Sequence, residues 1–519
     1  MMRLILIGAS LVICGAAVGQ GAKVWVASPW EHVLKSAPAR DGQSVELRAA
    51  RNEYEPFRVI VTAGDEALSE VAVTAEPLRL NQRNEAPLTL YREHYINCFE
   101  PSRRSTAEPG WYPDALVPLT EAFDVAAGES QGVWVDAYVP ADATPGTYEG
   151  ELVVTAAGEE IGTVSVALDV WDFALPETFA MRSNFGSLGG RLAKNIGMDA
   201  GSDEFLAIED AYIDELLAHR CQPSSLGNIW PKRNEDGTLD DTESGERLRH
   251  FVEDRHINSL KLPFPYGDGP EKCKAYLANI AEYLREKGWL DLAYIYMKDE
   301  PNDPEEYEIV REQGRVIREA DAGIRRMCTE QTITSNEEWG DLYGAVDVWC
   351  PLWGLYDDET ALARQAAGEE IWSYTALCQC AETNPYWQID FPPVVYRSPF
   401  WVSWHYDITG FLYWSSIYLP PEKDVWDAPH FRDQYWGEGM LLYHGQDVGI
   451  DGPVSSIRLK LIREAMEDFE YMTLAANAGK GEQVDRIVDG LATSFQDWER
   501  DPGAYMDARE EIAGLIVGG

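Results

Sequence analysis

A chain of 519 residues with 45% hydrophobic and 25% charged positions is too long for one ordinary core and too apolar for a disordered chain. Two or more packed domains are expected. Lys plus Arg number 43 against 88 Asp plus Glu, a formal charge of −45, and such a surface repels phosphate backbones and anionic headgroups. Nucleic acid is therefore not expected as a partner.

Residues 1–19 read as a signal peptide: a lone Arg3, an apolar run over 4–18, then the small residues Ala16, Ala17 and Gly19, with cleavage expected near 19–22. Cys14 is a poor lipidation site, because Ile13 before it is too large. No other segment is apolar for about 18 residues, so no transmembrane segment is expected and the mature chain should be secreted or periplasmic. Removing Cys14 leaves seven scattered cysteines, not a disulfide framework. Cys378 and Cys380 are two apart, and no second ligand pair accompanies them, so they read as buried thiols rather than zinc ligands.

Over residues 20–175 short runs alternate apolar and polar positions between turn residues: KVWVAS, SVELRAA, FRVIVTAG, VAVTAEPLRL, GVWVDAYV, YEGELVVTA and TVSVALDVW. Period-two alternation predicts an antiparallel β-sandwich. Pro176, in VWDFALPE, opens the next domain. From there to 477 short apolar strands alternate with helical patterns. Strands are expected at MRSNFGSL, QPSSL, SLKLPFP, AYIYMKDEP, RRMCTEQ, VDVWCPLW, IWSYTAL and GFLYWSS. Eight strands with helices between them predict a (β/α)8 TIM-type barrel, in which chemistry gathers where strands end. SIRLKLIREAMEDFEYMTLAA is its last helix. A C-terminal helical extension is expected over 478–519, including QVDRIVDGLATSFQDWE.

Asp299 and Glu300 end the fourth expected strand. An acidic doublet is commonplace in a chain with 88 acidic residues, so position is what singles this one out. Pro301 cannot continue a strand ladder, which turns the backbone into the loop and allows both carboxylates to face the barrel mouth. The alternative is that Asp299 caps a following helix or pairs with an Arg while Glu300 is solvated. Two carboxylates can cleave a glycosidic bond, but adjacent residues do not flank an anomeric carbon from opposite sides. The arrangement suits substrate-assisted hydrolysis instead: a 2-acetamido oxygen attacks, Asp299 orients it and stabilises the oxazolinium, and Glu300 is acid then base.

Aromatic residues near the strand ends are candidate sugar contacts: Trp349 and Trp353, Trp372 and Tyr374, Tyr413 and Trp414. Arg397 and Trp401 share a helical face, and Arg397 either reaches an acid at the mouth or packs helix to barrel. The eight His residues show no metal spacing, and GxSxG, Walker and dinucleotide fingerprints are missing, so no metal or cofactor is expected.

Several segments together resemble the secreted bacterial family built around glycoside hydrolase family 123. They are RNEYEPFRVIV, VPADATPGTYEGELVV and VWDFALP in the sandwich, then DEP, IWSYT, NPYWQIDFPPVVYR, GFLYWSS, GEGMLLYHG and SSIRLKLIREAMEDFEYM. The resemblance covers most of the chain beyond residue 19. It implies a retaining exo-β-N-acetylgalactosaminidase that acts on a glycan or glycolipid, with Asp299 and Glu300 in the roles given above. Two other readings stand beside it: a glycosidase for a sugar lacking the acetamido group, with a nucleophile from another strand, and a non-catalytic carbohydrate-binding protein.

Overall fold

The structure is a computed structural model that describes residues 21–234, 238–334, 336–377, 381, 383–418, 424–432 and 434–518. The signal peptide expected over 1–19, with Cys14, and the pair Cys378 and Cys380 lie outside the described residues. The five cysteines among the described residues are free and buried.

The N-terminal half is β-rich. One sheet is formed by Lys23–Ala27, Glu53–Thr62, Ser130–Val139, Leu88–Cys98 and Gly110–Pro118, in that order. The second carries Ser44–Arg51, Glu159–Ala174, Gly146–Ala156, Leu68–Ala75 and Phe123–Val125. Phe57, Val59, Val133 and Val135 of the first meet Tyr148, Leu152, Val166 and Leu168 of the second in one core. Alternation drives this: Val164, Val166 and Leu168 are buried, whereas Ser165 faces solvent. The expectation of an antiparallel sandwich needs one correction, because Ser44–Arg51 runs parallel to Glu159–Ala174. Leu88–Cys98 was not legible as a strand, since Glu93 is buried on the sheet face away from the sandwich core. Its carboxylate takes both arms of the Arg58 guanidinium at 2.7 Å in a buried pair, so charge stands where the pattern expects an apolar residue.

The second half is built on a parallel sheet. Its strands are β1 (Arg182–Asn184), β2 (Leu260–Lys261), β3 (Ala293–Tyr296), β4 (Arg325–Cys328), β5 (Val348–Trp349), β6 (Glu370–Thr375) and β7 (Gly410–Tyr413). The sheet order is β1-β7-β6-β5-β4-β3-β2, and every neighbouring pair is parallel. The sheet curls into a half-barrel: Asn184 on β1 donates to the Tyr294 hydroxyl on β3 at 2.9 Å, although β7, β6, β5 and β4 lie between them. Tyr294, Met327, Val348, Trp372 and Leu412 fill the inside of the curve. The strand expected at QPSSL does not form. There the chain bonds through Phe185 N to Gln222 O (2.8 Å) and Ser224 N to Gly186 O (2.8 Å), and the Gln222 side chain bridges to the Ser259 carbonyl. Pro223 has no N–H to give a ladder, so the segment joins β1 through two backbone bonds and reaches the β2 side through the Gln222 side chain.

The helices beside the sheet are α1 (Gly189–Ile196), α2 (Asp203–Ala218), α3 (Pro270–Lys287), α4 (Pro304–Ala320), α5 (Asp358–Ala366), α6 (Ser398–His405) and α7 (Ile457–Ala475). The sequence of α7 has apolar residues at helical spacing, and the helix is buried on nearly all sides, its charged residues included. Its charges meet the sandwich: Arg458 pairs with Asp114 at 2.8 Å, and Lys460 and Arg463 with Asp136 at 2.9 and 3.0 Å. α7 thus holds the two halves together through paired, buried charges. In the C-terminal extension Gly481–Asp489 and Pro502–Val517 are helical, whereas residues 490–498 form turns. The helix expected through 499 therefore stops near Gly490.

Candidate active site

Asp299 and Glu300 follow β3 at the C-terminal end of the sheet, and both are exposed. Glu300 has φ 40°, the left-handed region that costs a non-glycine residue about 1–3 kcal/mol. That twist separates the two side chains. Asp299 Oδ1 accepts from Tyr296 of β3 at 2.5 Å and from Thr329, just past β4, at 2.9 Å. The Glu300 backbone N–H donates to the same Thr329 hydroxyl at 3.1 Å, and Glu300 Oε1 accepts the Tyr374 hydroxyl from β6. Asn302 donates to the Glu300 carbonyl and fixes the loop. Each carboxylate thus has one oxygen anchored, while its second oxygen makes no hydrogen bond among the described residues.

The role of helix cap falls to Asp303, which accepts from Glu306 N at 2.8 Å at the start of α4. Neither member of the pair has an ion-pair partner among the described residues. Both alternatives for Asp299, helix cap and Arg partner, are therefore filled elsewhere or unmet.

Burial, then the neighbouring carboxylate, raises the Tyr296 and Tyr374 hydroxyls well above the ordinary phenol value, so both remain donors. Burial lowers the Lys261 ammonium on β2, with the Asp299 charge opposing. Beyond β4, burial pushes Glu330 up to about 7, against donors Tyr307 (2.8 Å) and Gln331, with the Glu300 charge adding to the rise. Tyr296, Thr329, Lys261 and Glu330 were not singled out from sequence. Their shared mark was position at or just past a strand C-terminus.

Of the aromatic candidates, the structure brings Tyr374 to the pair. Trp372, two residues earlier, faces the same interior against Tyr294 with its Nε1 unpartnered. Trp414, at the end of β7, is half-buried; its Nε1 donates to Glu438 at 2.7 Å, and its ring meets Tyr418 and Phe431. Glu438 is buried, and burial pushes it up to about 7. Trp349, Trp353, Tyr413 and Arg397 are not brought to the pair. Strand parity turns Trp349 and Tyr413 outward, since Val348 and Leu412 take the inner face. Trp349 donates to Glu369, Trp353 donates to Ser373, and the Tyr413 hydroxyl accepts from Gly439 N. Arg397 forms a fully buried pair with Asp468 of α7 at 2.6 Å, under the Trp30 ring. Trp401 donates to the same carboxylate. Of the two placements expected for Arg397, helix packing is the one observed. Among the described residues no cluster of His, Cys, Asp and Glu could hold a metal ion. No helix of the described residues is long and apolar enough to cross a membrane.

Comparison with known proteins places this geometry. Residues 269–475 match the model described as "Glycoside hydrolase 123, catalytic domain", and 34–156 match "Glycoside hydrolase 123 N-terminal domain". No curated protein matches the chain. Among solved structures, the fold is similar over 96% of this chain and 97% of the other to a family 123 glycoside hydrolase from Clostridium perfringens. That structure was described for glycolipid glycan hydrolysis, and the match has 15% identity and a TM-score of 0.68. A family 39 glycoside hydrolase from Bacteroides cellulosilyticus matches at 9% identity over 76% of this chain and 80% of that one, with a TM-score of 0.33. The two family models together span more than half of the chain, and the first contains the carboxylate pair with its Thr329 and Tyr374 partners. The chain belongs to glycoside hydrolase family 123 and is a glycoside hydrolase.

Proposed function

We propose that the protein is a secreted, retaining exo-glycosidase that removes terminal β-linked N-acetylhexosamine, N-acetylgalactosamine above all, from a glycan or glycolipid. The observation that carries the reading is the split anchoring of the pair, with Asp299 on Tyr296 and Thr329 and Glu300 on Tyr374. The glycolipid glycan named for the Clostridium perfringens relative supports the substrate class. In the same reading, residues 1–19 are the signal peptide, 20–175 the sandwich, 176–477 the catalytic domain and 478–519 the extension. The catalytic domain is a (β/α)8 barrel whose second position is the irregular segment around Gln222.

Two carboxylates on consecutive residues approach one side of a sugar, so the nucleophile comes from the substrate. The acetamido oxygen attacks the anomeric carbon while Glu300 gives its proton to the departing glycosidic oxygen. The free oxygen of Asp299 accepts the acetamido N–H, aligning the amide and balancing the positive charge of the oxazolinium. Glu300, now a carboxylate, takes a proton from the water that opens the ring, and the anomeric configuration is kept. General acid–base help of this kind contributes about 10²–10⁴-fold. Trp414, half-buried at the end of β7, supplies aromatic surface for the ring.

The test is hydrolysis of an aryl 2-acetamido-2-deoxy-β-galactoside by the wild type, Glu300→Gln and Asp299→Asn. The expected result is loss of turnover in the first variant and nearly as severe a loss in the second, with inhibition of the wild type by a thiazoline. Parental rates in both variants would place the site elsewhere; an active enzyme insensitive to thiazoline would point to a sugar without the acetamido group.

A further inference from the structure

Away from the carboxylate pair, a cleft of about 1120 Å³ lies between the β-rich half and the catalytic domain. Arg92 and His94 form its sandwich wall. Lys194 and Asn195 of α1, Trp426 and His444 form the other. A second depression of about 440 Å³ shares Arg92 and His94 with it and is lined also by Trp111, an indole left 44% exposed with the Lys35 ammonium 5.3 Å from its ring centroid.

Three features of the walls point to a ligand. His444 is 6% exposed, and its Nδ1 lies 2.7 Å from the Tyr212 hydroxyl, yet its Nε2 has no partner. A buried, unpaired ring nitrogen beside a cleft is a cost that a bound polar group would remove. Arg92 and Lys194 carry no carboxylate partner among the described residues, in a chain whose net charge is −45. Trp426 is locked in place, its backbone N–H on Asp424 at 2.9 Å, its Nε1 on Asp447 at 3.3 Å and its carbonyl accepting from His94 at 2.7 Å.

The chemistry of the lining selects the ligand class. Cations (Arg92, Lys194) and anions (Glu121, Asp424, Asp447) face the same space, so neither a phosphate-rich nor a polycationic ligand is favoured. Sugar hydroxyls donate and accept at once, and they suit a wall that offers both. The exposed Trp111 indole in the neighbouring depression suits the apolar face of a pyranose. The volume exceeds the usual range for one small ligand and calls for several linked rings.

We propose that this cleft is a second carbohydrate-binding site, which takes a neutral oligosaccharide and gives the β-rich half a direct part in substrate capture. Lys194 and Asn195 lie one turn beyond Arg191 on α1, and the Arg191 guanidinium sits 6.0 Å from the Trp414 ring centroid and 5.0 Å from that of Tyr418. One helix thus borders both the end of β7 and the cleft.

The test counts binding sites. A neutral tetrasaccharide ending in N-acetylgalactosamine is titrated calorimetrically into Glu300→Gln protein and into the same protein carrying Arg92→Ala and Lys194→Ala. Both added substitutions fall outside the buried core, and circular dichroism checks the fold. The expected result is that the cleft substitutions remove one site per chain, or weaken one at least tenfold, whether or not the catalytic site holds the sugar. An unchanged number and affinity of sites would overturn the proposal. As a second readout, the His444 ring ¹⁵N resonances should move during titration of the Glu300→Gln protein, and resonances that stay fixed at saturation would also overturn it. Turnover of the aryl glycoside by Arg92→Ala/Lys194→Ala protein with Glu300 intact reports on the catalytic reading alone.

Discussion

The Tyr374 hydroxyl of β6 donates to Glu300 Oε1 beyond β3, so a single bond spans the inside of the curled sheet and sets the direction of the acid. Tyr374→Phe keeps the ring in its packing and deletes the donor. A hydrogen bond to a charged group contributes about 1.5–3 kcal/mol, so kcat/KM should fall roughly 10- to 100-fold. An unchanged kcat/KM would mean that this bond does not orient a catalytic carboxylate.

Glu330 titrates beside the pair. Burial holds its carboxyl near 7, and the groups facing it are the donors Tyr307 and Gln331 and the Glu300 carboxylate. Glu330 therefore gains its charge beside the pair as pH rises through about 7, and any inflection of kcat/KM that it causes near that pH should be missing from Glu330→Gln. Rate measurements from pH 5 to 9 on the wild type and the variant check this, and an inflection kept in the variant would assign it to another group.

Arg397 separates structure from recognition. Its guanidinium takes both oxygens of Asp468 at 2.6 and 2.7 Å with no solvent exposure. Removing one partner from such a pair leaves a buried charge and costs about 3–5 kcal/mol. Asp468→Ala should therefore lower the unfolding midpoint sharply while the folded fraction keeps its KM. A raised KM at unchanged stability would restore Arg397 to the sugar site.

How far the sequence reached follows from the same residues. Seven of the eight expected parallel strands are present because each is a short apolar run closed by a turn. The pair at Asp299 and Glu300 was legible from its place before Pro301. What stayed hidden depends on direction rather than composition. Trp349 and Trp372 are equivalent in a count of aromatics, yet parity sends one outward to Glu369 and the other inward to Tyr294. Tyr296 lies on β3 and Thr329 just past β4, and only the register of β3 against β4 brings both to Asp299. The polar residues of α7 find partners that spacing along the helix does not reveal, because the sandwich carboxylates that pair with them, Asp114 and Asp136, are more than 300 residues earlier in the chain.

Stability should fall as pH rises toward and through neutrality, and Glu438 is the clearest probe. Burial pushes its carboxyl from 4.5 up to about 7, against donors Trp414 and Gln388. A carboxyl with a raised folded pKa contributes stability that is complete below about 4.5 and is lost as pH rises through 7. Glu467 and Glu470 on α7 are held near 7 by burial in the same way. The buried His32 and His444 work in the other direction: burial lowers each to about 4, so they are neutral in both states above 6.5 and lose stability only toward acid. Between pH 6.5 and 8 only the carboxyls contribute, at roughly 0.5–1 kcal/mol each. The unfolding midpoint should drop across that window, and Glu438→Gln, which cannot ionise, should flatten the drop. A midpoint that rises from pH 6.5 to 8, or an equally steep fall in the variant, would show that Glu438 is already ionised in the folded protein at pH 6.5.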